Sequence, residues 1–370
     1  MDFDFTEDQE SLRDAVRRWV DKDYGFEQRR AIVRAGGFSR EAYDGLVGLG
    51  LSALAVPEAQ GGLGFGPVEA MVVMEELGRG LVMEPYAQAA LVAPAVLAHA
   101  PDALQAQWLP RIAAGDALVV LAHQERGARY RLDRCDTQAD DQGRISGRKS
   151  LVPAGDRADA FIVPARHAQG LALYLVERQA PGVSAGGHLL QDGSRAAELV
   201  LDGAPGTRLV GADQGLAVLE LAADVAIAAL CAEAVGAMDR LVAITADYLN
   251  TRKQFGVAIS SFQALRHRMA DVKMQLELAR SMSYFATLKL GDGADSRRRA
   301  LSQAKLQLGQ SMRFIGQQCT QLHGGIGVTD EYISSHYFKR LTVMEMQFGD
   351  SLHHLGEVSQ RMQDQAGVFS

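Results

Sequence analysis

Two hydrophobic periods divide the chain into three stretches. Near the amino terminus, Leu12, Val16, Trp19 and Val20 recur at helical spacing behind Thr6-Glu7-Asp8-Gln9, which has the Thr-x-x-Gln form of a capping box, so a helix is predicted to start here. Glu41 to Leu51 reads as a short helix and Pro57 to Gly64 as a turn-rich loop. Pro67 to Gly80 resumes the helical period through Val68, Met71, Val72, Met74 and Leu77, and Glu75, Glu76 and Arg79 read as its solvated face. Helical character continues through Ala87 to Ala98, with a break expected at Pro94, and through Leu104 to Ala114.

The period then changes. Val119-Val120-Leu121, Phe161-Ile162-Val163, Leu171 to Val176 and Glu198 to Leu201 are short apolar runs separated by Gly, Asp and Pro, the pattern of strands, and they define a β-rich unit with edges near Asp116 and Gly211. Beyond it the helical period returns in long segments at Gln214 to Asn250, Ser261 to Lys289, Ser296 to Leu322 and Leu352 to Gln363. The most apolar stretch, Leu216 to Ile244, is interrupted by Glu220, Asp224, Glu233, Asp239 and Arg240, which favours a buried helix over a membrane span. No internal repeat or low-complexity tract breaks this order.

Composition narrows the class. With 370 residues, 47% hydrophobic and 22% charged, the chain is globular and long enough for two or three packed units. A net charge of −7 argues against a general nucleic-acid binder, because counterion release needs clustered Lys and Arg. Cys135, Cys231 and Cys319 are widely spaced and odd in number, which fits buried free thiols in a reducing compartment and no zinc or other metal site. The acidic run Met1-Asp2-Phe3-Asp4-Phe5 lacks the succession of a signal peptide, so the cytoplasm is the expected location.

Candidate chemistry gathers in two places. Gln321-Leu322-His323-Gly324-Gly325-Ile326-Gly327 follows a helical segment with a glycine run that lets backbone approach a ligand closely, and Arg252-Lys253-Gln254-Phe255-Gly256 offers a basic partner for a phosphate. His323 reads as a packed or solvent-facing residue rather than a ligand or base. Together with Ala55-Val56-Pro57-Glu58, Gly61-Gly62-Leu63-Gly64 and Glu75-Glu76-Leu77-Gly78-Arg79, in this order across the full length, these segments resemble the acyl-CoA dehydrogenases. The resemblance implies an α+β fold: an N-terminal helical domain over 1–116, a central β-barrel-like domain over 117–212 and a C-terminal four-helix bundle over 213–370.

Members of that family remove the α-proton of an acyl-CoA thioester while a β-hydride passes to FAD, giving the 2-enoyl-CoA. Carried over residue by residue, the resemblance implies FAD contacts for Arg252, Phe255, Gln263, Gln321, Gly324 and Gly325, reaching the pyrophosphate and adenosine side of a flavin seated in a neighbouring subunit. It also implies an electron-transfer flavoprotein as electron acceptor.

Two departures from the family pattern fall on one half of the site. The family's Thr-Glu-Pro-x-x-Gly-Ser-Asp stretch is replaced by Gln124-Glu125-Arg126-Gly127-Ala128-Arg129-Tyr130, and its Trp-Ile-Ser/Thr by Leu151-Val152-Pro153; Pro153 offers flavin N5 neither a hydroxyl nor an amide hydrogen. The usual base, a Glu before Gly-Thr, is replaced by Phe348, and an alternative glutamate position by Ala226. Asp350 is the nearest carboxylate and the candidate base, offset by two residues, with Glu345 a weaker candidate. These losses, and the run Phe348 to Leu355, resemble the short subunits of heterotetrameric enzymes of bacterial steroid side-chain and pimeloyl-CoA metabolism, which share a flavin site with a related subunit. The resemblance thus implies a dimer of heterodimers. A self-sufficient homo-oligomer using Asp350 and a non-catalytic structural or regulatory subunit stay open beside it.

Overall fold

The computed structural model describes residues 4–366, so Met1 to Phe3 of the acidic amino-terminal run lie outside it. In chain order it forms α1 (Glu7–Asp23), α2 (Phe26–Arg34), α3 (Arg40–Gly48), α4 (Pro67–Arg79), a π-helical stretch Ala87–Val92 leading into α5 (Ala93–Leu97), and α6 (Asp102–Ala113). Strands β1 (Val119–Leu121), β2 (Gln138–Ala139), β3 (Arg144–Pro153), β4 (Ala160–His167), β5 (Gly170–Glu177), β6 (Val183–Leu189), β7 (Arg195–Pro205) and β8 (Thr207–Val210) follow. Then come α7 (Gly215–Thr251), the hairpin β9 (Lys253–Gln254) and β10 (Val257–Ala258), α8 (Gln263–Lys289), α9 (Ala294–His323), α10 (Ile333–Met346) and α11 (Ser351–Ala366).

Local chemistry sets several of these boundaries. Thr6 caps α1 with both halves of the capping box in place, Thr6 Oγ1 accepting from the Gln9 amide and Gln9 Oε1 from the Thr6 amide. At Pro94 the break takes a different form: the π-helical turns precede it and α5 restarts with the proline in its first turn, where a missing N–H costs nothing. Helix α10 was absent from the sequence pattern because Ser334, Ser335, His336 and Thr342 interrupt its apolar period; Ser334 and Ser335 are nonetheless buried.

The chain divides into two compact units, each built from separate segments: Met1–Arg29, Met71–Val82 and Ile227–Ser370 in one, Arg30–Ala70 and Met83–Ala226 in the other. The second unit holds an eight-stranded sheet ordered β6-β7-β3-β2-β4-β5-β8, with β1 joined parallel to β4. Phe161 and Val163 on β4, Val120 on β1, Ile145 on β3 and Leu199 and Leu201 on β7 form its core. Strand β3 slips register against β7 between Lys149 and Val152, and there Leu151 takes a φ of 52° and points outward, half-exposed.

In the first unit, α7, α8, α9 and α10 surround a core that includes Leu241, Leu276, Leu308, Met312, Ile315 and Leu341. Helix α7 is long and apolar enough to cross a membrane by length and composition alone, but 72% of its most apolar window is buried in the fold. The helices approach unusually closely where α4 meets α7: a Cβ on Gly236 would fall 1.8 Å from the Glu75 carbonyl oxygen, and one on Gly78 2.0 Å from that of Glu233. That crossing corrects the reading of Glu75 and Glu76 as a solvated face, because both are buried. Glu76 is paired with Arg17 at 2.6 Å and Arg79 at 2.7 Å, whereas burial pushes the Glu75 carboxyl up to about 7 and leaves its Oε1 without a partner among the described residues.

Candidate functional site

The carboxyl-terminal end of α7 carries Arg252 into the β9–β10 hairpin. The Arg252 amide donates to the Tyr248 carbonyl at 2.8 Å and the Ile259 amide to the Arg252 carbonyl at 2.9 Å, which fixes the backbone on both sides while the side chain stays exposed. No ion pair or hydrogen bond holds the Arg252 guanidinium among the described residues. The hairpin register Gln254↔Val257 leaves Phe255 and Gly256 as a two-residue turn, with φ of 54° and 81°. Positive φ at both central positions is the geometry of a type I′ turn, strained for phenylalanine. The strain displays the ring: Phe255 is 92% exposed and meets Phe262 edge-on at 6.1 Å. Gln263, the next residue, opens α8 and is exposed.

The glycine run closes α9. Gly324 takes a φ of 65° as the helix turns into a 3-10 stretch, Gly324–Val328, and Gln321 and Gly324 line a surface groove of about 260 Å³ with Gln317, Thr320, Val328 and Phe338. Each glycine has its own reason. Gly324 needs its left-handed backbone, and a Cβ on Gly327 would come 2.7 Å from the Thr320 carbonyl oxygen. Gly325 has neither constraint: its φ is ordinary and nothing lies within 4 Å of where a Cβ would stand. The fold itself does not demand glycine there, and an exposed glycine without a folding reason fits close approach by a bound molecule.

An aromatic cluster joins the two motifs. His323, buried just before Gly324, packs in tilted contact with Tyr248 at 4.7 Å and Tyr332 at 5.2 Å, and Tyr248 lies one helical turn before Arg252. Its Nδ1–H donates to the Cys319 carbonyl at 2.8 Å, so Nε2 is the bare nitrogen, buried and without a partner among the described residues; burial lowers the ring's pKa. His323 is therefore a packed residue.

The loop between α10 and α11 is built differently. Asp350 takes the N-cap position of α11, its Oδ1 accepting from the His353 amide at 2.8 Å. Glu345 is buried and accepts from the Ser351 amide at 3.0 Å, the Ser351 hydroxyl at 2.7 Å and Arg313 at 3.2 Å. Phe348 holds a φ of 56°, and its carbonyl accepts from His354 Nε2 at 3.1 Å. Beneath the loop, Lys305 of α9 is fully enclosed and donates to the Glu345 and Gly349 carbonyls at 2.8 and 2.9 Å. Burial drives the Lys305 ammonium down to about 8, against Cys231, Glu345 and Asp350, which favour the charge. Its sequence signal was a lysine inside the otherwise apolar stripe Leu301, Ala304, Leu308 and Met312 of α9.

In the sheet unit, Pro153 ends β3 paired with Ala196, and Glu125 and Lys149 form a buried ion pair at 2.7 Å. Sequence reasoning missed this pair, because no local pattern couples residues 24 positions apart.

Comparisons with known proteins give the family. The acyl-CoA dehydrogenase N-terminal domain matches residues 6–116 and the acyl-CoA dehydrogenase C-terminal domain residues 213–363. Acyl-CoA dehydrogenase IpdE2 of Mycobacterium tuberculosis is 32% identical over 341 residues, covering 90% of this chain and 91% of that protein. Among solved structures, the Tcur3481-Tcur3483 steroid acyl-CoA dehydrogenase variant superposes with a TM-score of 0.90 at 29% identity, covering 98% of this chain and 99% of that one. The ChsE4-ChsE5 complex from Mycobacterium tuberculosis does so with a TM-score of 0.89 at 28% identity, covering 99% of each. The two domain matches span well over half of the sequence, and the chain belongs to the acyl-CoA dehydrogenase family, oxidoreductases that act on CH–CH groups.

Proposed function

We propose that this chain takes part in the FAD-dependent α,β-dehydrogenation of an acyl-CoA thioester to the 2-enoyl-CoA, holding the adenosine end of a flavin whose ring is seated in a related subunit. One coincidence of three features carries the reading: an exposed guanidinium, an exposed strained Phe255 and a glycine without a folding reason all lie on the motifs that fit the family's cofactor. Arg252 would pair with the pyrophosphate by charge and fork geometry, and Gln321, Gly324 and Gly325 would leave room for the adenosine side. The ring end does not fit this chain in the same way, since Pro153 has no amide hydrogen to offer. Bound flavin would supply the acceptor for the β-hydride, and the α-proton would go to a carboxylate of the related subunit, because Phe348 stands where the resemblance puts the family's base.

The ChsE4-ChsE5 complex and the steroid acyl-CoA dehydrogenase among the solved relatives support a heteromer and a bulky acyl group. An electron-transfer flavoprotein is the proposed acceptor, and the three buried free thiols fit a cytoplasmic enzyme.

A second reading keeps the base in this chain. Asp350 is a carboxylate within two residues of the family position, so a self-sufficient homo-oligomer would use it. The test is to purify the chain alone and together with an acyl-CoA dehydrogenase encoded beside it, and to measure flavin absorbance and enoyl-CoA formation. Flavin and turnover in the chain alone would overturn the shared site. In the co-purified complex, Arg252→Ala is expected to weaken flavin retention roughly tenfold to a hundredfold, the loss of a charged hydrogen bond. Full retention would instead mark this chain as a structural subunit.

A further inference from the structure

In the sheet unit, three buried side chains that the dehydrogenation does not use meet at one point. Lys149 Nζ donates to Glu125 Oε1 at 2.7 Å and to Cys135 Sγ at 3.5 Å, and Cys135 Sγ lies 3.4 Å from the same Oε1. The triangle is enclosed, with relative exposures of 1%, 5% and 6% for Lys149, Glu125 and Cys135. Glu125 is fixed further by the Thr137 hydroxyl at 2.7 Å, the Thr137 amide at 3.1 Å and the Asp136 amide at 2.6 Å. A buried lysine needs a counter-charge, and Glu125 supplies it. The need for a counter-charge does not account for the thiol held against the amine.

We propose that Cys135 and Lys149 are a redox modification site at which one oxygen atom bridges Sγ and Nζ. Dioxygen is the oxidant. The Cys135 S–H bond and two Nζ–H bonds break, and S–O and O–N bonds form. One oxygen atom stays in the bridge; the other leaves as water with two of the hydrogens, and the third hydrogen passes as a proton to Glu125. Sulfur and nitrogen lose the electrons that dioxygen gains, and the ion pair ends as a neutral carboxylic acid beside a neutral bridged nitrogen, so atoms and charge balance.

The surroundings select this route over the usual fates of a thiol. Burial pushes the Cys135 thiol up, with Lys149 opposing, which disfavours the thiolate that disulfide exchange needs. Cys135 is the one cysteine of its unit, so no disulfide can form within it. A bulky oxidant is excluded from an enclosed sulfur, whereas a diatomic gas is small and apolar. Lysine's flexible four-carbon stem supplies the adjustment that brings Nζ from contact to covalent distance. The bridge would also discharge the cation that Glu125 faces, in the segment that ties residues 125 and 135–137 to β3.

The experiment uses the full-length chain, purified anaerobically with reductant and then divided between nitrogen and air, with intact mass and non-reducing tryptic digests compared. In air, a species heavier by one oxygen and lighter by two hydrogens is expected. It should join the Cys135 and Lys149 peptides, block tryptic cleavage after Lys149, and disappear with dithiothreitol. Under nitrogen it should be absent, and in Cys135→Ser it should be lost completely while the thermal melt confirms an intact fold. Oxygen added to Cys135 alone, or free cleavage after Lys149 once the protein has been aerated, overturns the proposal. So does the same mass change persisting in Cys135→Ser.

Discussion

Two regions of the helical unit make opposite use of their polar groups. Around Arg252, Phe255, Gln321 and Gly325, side chains face outward, the guanidinium has no partner among the described residues, and strained backbone serves to display a ring. In the loop from Glu345 to Asp350, the same currency of hydrogen bonds is turned inward: Lys305, Glu345, Asp350 and His354 all bond to the loop itself. The first pattern suits a surface waiting for a ligand; the second suits a structural closure. The division runs along the resemblance: the first region carries the segments that resemble the family's cofactor motifs, and the second holds Phe348, where the resemblance implies a departure. The loop around Phe348 is a packed joint, with Lys305, Glu345, Asp350 and His354 bonded to it.

The largest effect is expected at the centre of that joint. Lys305→Met removes both hydrogen bonds to the Glu345 and Gly349 carbonyls, and two buried acceptors left unmade should destabilise the fold by roughly 2–4 kcal/mol near pH 10.5, where the folded amine is neutral, and by less at neutral pH, where removing a buried ammonium offsets part of the loss. The pH dependence gives a sharper check. The Lys305 pKa falls from an ordinary 10.5 unfolded to about 8 folded, so between these values the unfolded chain binds more protons and this group's contribution to stability rises with pH. Denaturant melts between pH 8 and 10.5 should show that rise in the wild type and lose it in the variant. A variant as stable as the wild type near pH 10.5 would mean that Lys305 does not hold the loop.

The two glycines separate a folding requirement from a ligand requirement on the other side of the comparison. Gly327→Ala drives a Cβ toward the Thr320 carbonyl and should cost about 1–3 kcal/mol in a thermal or denaturant melt. Gly325→Ala meets open space and should leave stability within about 0.5 kcal/mol, while weakening flavin retention in the co-purified complex. Equal losses of stability at both positions would remove the argument that Gly325 is reserved for a bound molecule.

How much of this was legible beforehand depended on how local the cause was. The capping box at Thr6, the apolar runs of β1, β4, β5 and β7, and the long helices follow from spacing alone, so the fold was readable. The glycines of the 324–327 run stand in the sequence only as identities: that Gly327 answers to its own helix end and Gly325 to nothing in the fold follows from the packing around them. Long-range pairings were out of reach. Glu75 and Glu76 looked solvated because a helical period marks faces, not the glycine crossing at Gly78 and Gly236 that buries them. Lys305, Lys149 and Glu125 were hidden for a related reason: a charged residue looks exposed until its partner, far along the chain, is placed beside it.

The smallest expected effect is the most discriminating for chemistry. Asp350→Asn keeps an oxygen that can accept from the His353 amide, and asparagine caps helices about as well as aspartate, so stability should stay within about 0.5 kcal/mol. Asp350→Ala, by contrast, loses the cap and should cost about 1 kcal/mol. If the carboxylate only caps α11, the asparagine variant in the co-purified complex turns over acyl-CoA at the wild-type rate. If it abstracts the proton, the same variant falls by about 10²–10⁴-fold with its melt unchanged, because an amide cannot act as the base. Paired measurement of melt and turnover therefore distinguishes a cap from a base at one residue, and a large fall in turnover would move Asp350 from the inward-facing region into the catalytic one.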